Sequence, residues 1–283
     1  PSVWIVRLAW ATGLNIAVAV APYLKRSVTA SGAVAGAAVG LVIYLAGGLF
    51  YWSILMAFFI SSRVLSRLKL AGDSPEAERR REAKRAAEAM HAKSGRRDGV
   101  QVLANGGLAA ITAAAHAITG SPLFMLGFAI AIAAANADTW ASEIGVLSRK
   151  EPVSILNFKP LRRGTSGGVS SLGLFASTGG AAFIALWFAL GYVATRGWNA
   201  GEVVPMIAAI TGGGFLGSLV DSALGATVQA QYWDRVKEAY TERRRDAAGA
   251  LNTLVRGFHV LNNDAVNALS GLLSMSILFG IVT

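Results

Sequence analysis

The sequence predicts an all-α protein, a polytopic transmembrane helical bundle of about eight spans (range roughly six to nine), each needing about 20 mostly apolar residues to cross a bilayer. Three observations carry this expectation. Hydrophobic residues make up 54% of the 283-residue chain and charged residues only 15%, with a mean hydropathy of +0.50, far from the composition of a water-soluble domain. Several stretches approach or exceed the length of a helical crossing. Strand-type alternation is absent, so the spans read as helices and not as the strands of a barrel. Residues 1–283 therefore read as a single integral membrane domain.

Taken in order, the first span is Val3 to Leu24. It has no basic leader and no small-residue cleavage site, so it is a retained helix and not a signal peptide. With no transit segment ahead of it, a prokaryotic inner or plasma membrane is expected. The next two spans, Val28 to Ala46 and Leu49 to Leu65, are separated by Gly47-Gly48, which reads as a tight turn or as a break within a re-entrant pair. Residues 67–98 form a basic loop. Within it Ser74-Pro75 suits a helix start, while Glu78/Glu82 and Arg81/Arg85 are neighbours at helical spacing, predicting a short amphipathic surface helix. The span Gly99 to Thr119 opens with Asp98, Gln101 and Asn105 at i, i+3 and i+7, a polar ladder on one helical face. Pro122 to Ser142, Gly167 to Ala194, Val203 to Gln229 and Ala265 to Val282 complete the set. Clustered glycines such as Gly32/Gly36/Gly40 and Gly212-Gly213-Gly214/Gly217 let helix backbones approach closely, predicting a compact bundle and not a wide pore.

The net charge of +10 is concentrated in four connections on one side: Lys25-Arg26, Arg67 to Asp98, Arg149 to Arg163, and Arg235 to Arg256. By the positive-inside rule that side is cytoplasmic, with both termini outside. Anionic headgroups account for basic residues beside a membrane, so membrane lipids and not nucleic acid are the expected partners. The chain has no cysteine, which excludes disulfides and thiolate metal sites. His91, His116 and His259 are isolated and have no ligand spacing.

Polar clusters interrupt this apolar background: Asn136-Ala137-Asp138-Thr139-Trp140-Ala141-Ser142-Glu143, Ser218-Leu219-Val220-Asp221-Ser222, and Asn262-Asn263-Asp264-Ala265-Val266-Asn267. Intramembrane carboxylates are costly and are kept where they pair, titrate or hold a cation. All lie toward the cytoplasmic ends of their spans, so Asp138, Glu143, Asp221 and Asp264 are expected to meet in one pocket as catalytic and metal-binding residues. Their all-oxygen character suits Mg2+ as cofactor. A glycine-rich turn, Gly164-Thr165-Ser166-Gly167-Gly168-Val169-Ser170, follows the basic stretch Lys159-Pro160-Leu161-Arg162-Arg163. Backbone N–H groups in such a turn and a helix N-terminus can surround phosphate oxygens. Phosphate contacts are expected from Lys159, Arg163, Thr165, Ser166 and Gly167, and from Ser222, Asn263 and Asn267. Together these features suit phosphoryl or nucleotidyl transfer at a membrane surface.

The segments Gly95 to Gly107, Asn136 to Gly145, Gly164 to Ser170, Gly217 to Ala226 and Leu261 to Asn267 resemble, in the same order, the integral membrane family that includes plant and cyanobacterial phytyl-phosphate kinase. The resemblance implies an isoprenyl-phosphate kinase. Such an enzyme converts a prenyl monophosphate (phytyl, geranylgeranyl, farnesyl or similar) to the diphosphate with a nucleoside triphosphate, CTP by analogy, and Mg2+. It also implies Arg96, Arg97, Thr165 and Ser166 on phosphates, Asn105, Asp138 and Glu143 on metal or nucleotide, and Asp221, Asn263 and Asp264 on metal. Two alternatives stand beside it: a lipid-phosphate cytidylyltransferase, which would release pyrophosphate, and a cation-coupled transporter. Acids gathered at span ends instead of the bilayer midplane argue against the transporter.

Overall fold

The computed structural model describes residues 2–67, Glu78, Arg81, Glu82, Arg85, Met90 and 95–282. Its helices are α1 (Ser2–Leu24), α2 (Ala30–Arg67), α3 (Gly99–Thr119), α4 (Pro122–Gly145), α5 (Ser171–Arg196), α6 (Ala200–Thr227) and α7 (Asn263–Val282). Among the described residues, five stretches are long and apolar enough to cross a membrane: Ala30–Leu65, Gly99–Thr119, Pro122–Gly145, Ser171–Arg196 and Ala200–Thr227. That is fewer than the eight crossings expected, partly because two expected spans fall within α2. The surface helix expected within 67–98 lies largely outside the described residues. Of its expected members, Glu78, Arg81, Glu82 and Arg85 are helical, and Arg81 pairs with Glu78 at 3.2 Å.

The α2 element is a folded hairpin. At Gly48 the backbone leaves helical geometry, with φ 63° and ψ −155°, a region open essentially to glycine alone. The Arg63 guanidinium donates to the Ser27 hydroxyl, 36 residues away in sequence; a straight helix of that length would separate them by about 54 Å. The two arms, before and after Gly48, thus run antiparallel, and the Gly47-Gly48 signal marks a turn. Trp52 of the second arm donates Nε1–H to Asn15 Oδ1 of α1 at 3.1 Å, tying the hairpin to the first helix. Gly48→Ala is expected to cost about 1–3 kcal/mol from backbone strain alone, read as a lower Tm in detergent. Gly36→Ala, where a methyl meets nothing within 4 Å, should leave Tm unchanged or raise it.

Helix α4 is central and packs against α2, α3, α5, α6 and α7. Phe128, Ile132 and Ala133 on it are fully buried. Small residues permit this: a methyl at Gly214 of α6 would sit 2.8 Å from Ala133 Cβ, and one at Gly180 of α5 would sit 3.0 Å from the Trp140 ring. Within α4, Asn136 is fully buried. It accepts from Ser61 at 3.0 Å and donates to Gly180 O at 2.7 Å, binding the second α2 arm and α5 to the centre. Asn136→Leu breaks both bonds and leaves partners unpaired, which is expected to lower stability by about 1–3 kcal/mol in a thermal melt.

The helical bundle is as expected, and its connections add a small amount of strand. The connections carry short strands: β1 (Val153–Ser154) with β2 (Gly168–Val169), and a three-stranded antiparallel sheet ordered β4-β3-β5 from β3 (Gln231–Asp234), β4 (Ala239–Thr241) and β5 (Thr253–Arg256). The expected sixth span began at Gly167, but residues up to Ser170 belong to the β1/β2 turn, and the helix begins where Ser170 Oγ accepts from Gly173 N–H at 3.1 Å. The seventh ends at Thr227, two residues early, as the chain turns toward β3.

Candidate functional site

Both ends of α2, the starts of α3, α5 and α7, and the ends of α4 and α6 meet at one pole of the bundle around a cavity of about 650 Å³. The antiparallel order of the helices brings them there, because every second connection returns to the same side. Of the residues singled out from the sequence, Arg96, Arg97, Asn105, Asp138, Glu143, Arg163, Thr165, Ser166, Gly167, Asp221, Ser222, Asn263, Asp264 and Asn267 all line this cavity. Lys159 does not: it is exposed on the 149–163 connection, where its carbonyl accepts from Ser154 N–H.

The deepest part is acidic. Asp138 of α4 and Asp221 of α6 share a small recess with Asn105 of α3 and with Asn267 and Ser270 of α7. Ser270 donates to Asp221 Oδ2 at 3.2 Å. With its amide oriented to satisfy its neighbours, Asn267 donates to the same oxygen at 2.8 Å and to Asn263 O at 3.2 Å. Asn105 donates to Gln101 O at 3.0 Å, so the polar ladder of α3 does continue into the site. Asp264 is buried in the first turn of α7, where a carboxylate is favoured by the helix dipole; Asn262 caps that turn by accepting from Ala265 N–H at 3.0 Å. The expectation of four carboxylates around one ion is not met as such. Asp138, Glu143, Asp221 and Asp264 line one cavity, yet among the described residues no three acidic or imidazole side chains gather closely enough to hold a metal by themselves.

The outer part is basic. Arg97 is held by a backbone clasp, its N–H donating to Ser27 O at 3.0 Å while its carbonyl accepts from Thr29 N–H at 3.0 Å. Burial pulls its guanidinium below the usual value, with Glu143 opposing the shift and Arg63 adding to it; an arginine so placed still carries its charge at neutral pH. Arg96 beside it is exposed at the rim. Arg163 has a different task from the one expected of it: it donates to the carbonyls of Val146 (2.8 Å), Ser148 (2.6 Å) and Arg149 (3.2 Å). It therefore caps the C-terminal end of α4, where a cation also meets the negative pole of the helix.

The glycine-rich turn presses against the end of α6. Gly167 adopts φ 85°, and a side chain there would lie 2.6 Å from Ala226 Cα; in return, a methyl at Gly225 would sit 3.1 Å from Gly167 N. Ser166 is held by residues the sequence reading did not single out. It donates to Glu242 Oε1 at 2.7 Å, and Gln229 donates to both Ser166 Oγ (3.0 Å) and Glu242 Oε1 (2.8 Å). From β5, Arg256 donates to Gly225 O at 2.9 Å and Ser166 O at 3.4 Å. Burial lowers the Arg256 guanidinium as well. Nothing local in the sequence marks Gln229, Glu242, Arg256 or Arg63, because each reaches the site through a distant chain crossing. The available signal was that Arg63, Gln229 and Arg256 are polar residues near the borders of basic connections and that Glu242 lies inside one.

An oxygen-rich recess, a basic rim and a backbone turn at a helix start make a cavity suited to a phosphorylated ligand with a hard cation. Comparison with known proteins bears on the family alone. Residues 13–275 match the model of the integral membrane protein family DUF92. Protein PGR of Arabidopsis thaliana is 31% identical over 288 residues, covering 95% of this chain and 93% of its own. An uncharacterized membrane protein of Methanocaldococcus jannaschii is 31% identical over 202 residues, covering 71% of this chain and 75% of its own. No solved structure matches the chain. A match over nearly the whole sequence, on a bundle with five membrane-length apolar helices, makes this chain a member of the DUF92 family of integral membrane proteins.

Proposed function

We propose that the protein is a Mg2+-dependent isoprenyl-phosphate kinase that converts a prenyl monophosphate to its diphosphate at the cytoplasmic face of a membrane, with CTP as donor. The observation that carries this reading is the meeting of Asp138 and Asp221 in one recess beneath Arg63, Arg96 and Arg97, with the Gly164–Ser170 turn forming the facing wall. Two carboxylates brought together ask for a positive charge between them. The donor set fits Mg2+: carboxylate and amide oxygens with no thiolate, and no all-protein cage, which suits an ion bound by one or two carboxylates plus substrate phosphates. Asp138 and Asp221 would hold it, with Asn105 and Asn267 beside them. When bound, such an ion neutralises charge on the reacting phosphates.

The residues of the chain do the remaining work by alignment. A phosphate monoester is already mostly ionised near neutral pH, so its oxygen can attack the γ-phosphorus without a general base. The bond from the γ-phosphorus to the β-phosphate oxygen breaks, and the nucleoside diphosphate leaves. Arg96 and Arg97 answer the charge of the phosphates, and the turn, fixed by Glu242, Gln229 and Arg256, supplies a rigid wall. The described parts of the basic connections open toward this pole, which supports a cytoplasmic site by the positive-inside rule.

Purified protein given Mg2+, CTP and geranylgeranyl or phytyl monophosphate is expected to yield the prenyl diphosphate and CDP, identified by mass spectrometry. Release of pyrophosphate with a CDP-linked lipid would assign cytidylyl transfer instead. Absence of any phosphate transfer across a panel of prenyl phosphates and nucleotides would overturn the kinase reading.

A further inference from the structure

The basic side of the cavity is built from three chain segments that meet away from the glycine-rich turn. Ser27 stands between α1 and α2, Arg63 lies near the end of the second α2 arm, and Arg97 precedes α3; all three line the cavity. Ser27 joins the other two. Its carbonyl accepts from Arg97 N–H at 3.0 Å, and its hydroxyl accepts from the Arg63 guanidinium. One residue thus brings two arginines to one wall. Arg63 is near enough to oppose the charge of Arg97, while Glu143 is the counter-charge that favours it. Two like charges held together repel, and an anion between them turns that repulsion into attraction. Guanidinium forks match phosphate oxygens in two-point contact, so phosphate is the anion they suit best.

Depth separates this wall from the turn. The apolar stretch that contains Arg63 ends at Leu65, two residues further on; it begins at Ala30, three residues after Ser27, and the next stretch begins at Gly99, two residues after Arg97. All three residues therefore stand at span ends, the level of lipid headgroups. Beside Arg63 on the same arm, Ile60 and Val64 are 59% and 53% exposed. On a helix that crosses a bilayer, such side chains face hydrocarbon. The turn is placed differently: Gly167 accepts from Ile155 N–H at 3.0 Å, and Ser166 is held by Glu242 just past β4, in connections outside every membrane-length stretch. One wall of the cavity thus borders lipid, and another borders the aqueous connections.

We propose that Ser27, Arg63 and Arg97 form a subsite for the phosphate monoester of the lipid acceptor, separate from the region of the glycine-rich turn, which takes the nucleotide. Arg63 sets the preference for the lipid phosphate, and Ser27 is the positioning residue that holds Arg63. A phosphate bound at headgroup depth leaves its hydrocarbon in the bilayer, so the protein needs no internal cleft for the chain. This rests on the kinase reading of the cavity, and a binding measurement separates the two.

Labelled geranylgeranyl monophosphate and labelled CTP are bound separately to the full-length protein in detergent with Mg2+. Arg63→Gln should raise Kd for the lipid phosphate about tenfold to a hundredfold, the range of a lost charge-assisted hydrogen bond, and change Kd for CTP less than about twofold. Ser27→Ala should raise the lipid Kd by a smaller factor. Should Arg63→Gln lose its melting transition, Arg63→Lys carries the same comparison, since it keeps the charge and loses the planar fork. Inorganic phosphate at equal concentration should not displace the lipid; displacement would assign the group to free phosphate and overturn the lipid assignment. Equal weakening of lipid phosphate and CTP, or of neither, would overturn the subsite even in an active enzyme. Selective weakening of the lipid phosphate in a protein that turns over no nucleotide would keep the subsite and remove the kinase reading.

Discussion

Asp138→Asn and Asp221→Asn are each expected to abolish turnover, by on the order of a thousandfold in kcat, while leaving the protein at least as resistant to heat as the parent. The two halves of that expectation come from the same geometry. Asp138 and Asp221 share a recess, and Glu242 is a further charged neighbour of Asp221. Like charges in a poorly hydrated site oppose folding, so neutralising one relieves repulsion. Asn keeps the shape and can still accept a hydrogen bond, so Ser270 retains its partner at position 221. A structural role for these carboxylates would give the opposite pattern, with stability falling alongside activity. The measurement is a pair of numbers for each variant, Tm in detergent and kcat with saturating CTP and prenyl phosphate. Full activity in Asp138→Asn would remove the carboxylates from the mechanism.

Gly167→Val is expected to have the largest effect of any substitution that changes no charge and removes no side-chain contact. Its backbone has φ 85°, where a β-branched residue is a genuine outlier at a cost of about 1–3 kcal/mol. The branch would also meet the backbone of α6, with Ala226 N only 2.7 Å from the first side-chain carbon. One of the two must shift, and the turn is the looser, so Ser166 would leave Glu242 and Gln229. Activity should fall by about a hundredfold or more, with α-helical circular dichroism preserved because the bundle core is remote. Gly249→Ala makes a useful comparison: φ there is also positive, at 87°, and a methyl would meet nothing within 4 Å, so it isolates strain from collision. A near-normal rate in Gly167→Val would show that the turn does not position anything.

Much of this architecture is legible in the sequence. The starts of α3 and α4 fall at Gly99 and Pro122 as read from the sequence, because Asp98 is a capping residue that accepts from Gln101 N–H at 3.0 Å and Pro122 is a natural first helical residue. The grouping of the acidic clusters followed from chain direction alone, since helices joined by short turns alternate in sense. What stayed hidden was the use each polar group makes of its neighbours. Arg163 and Ser166 line the cavity as expected, yet one caps α4 and the other serves the Glu242 network. Lys159 has the same composition signal as Arg163 and faces outward. Periodicity reports which face of a helix is polar; it says nothing about residues in irregular connections, where a single backbone turn decides the direction of a side chain. The three-stranded sheet escaped for a related reason. Its strands are three or four residues long, too short for alternation to stand out, and it is stabilised by long-range pairing of Tyr232 with Thr241 and Leu254.

The turn at Gly48 bears on how the chain reaches its membrane. The two arms meet at Gly47-Gly48, and between α3 and α4 stands only Gly120-Ser121. Neither link carries an ionised side chain, so during biosynthesis each helical pair can slip into the bilayer as a unit without dragging charge through hydrocarbon. Inserting a lysine beside Gly48 would impose that passage, and such a chain should accumulate with the hairpin stranded on the side where it was made.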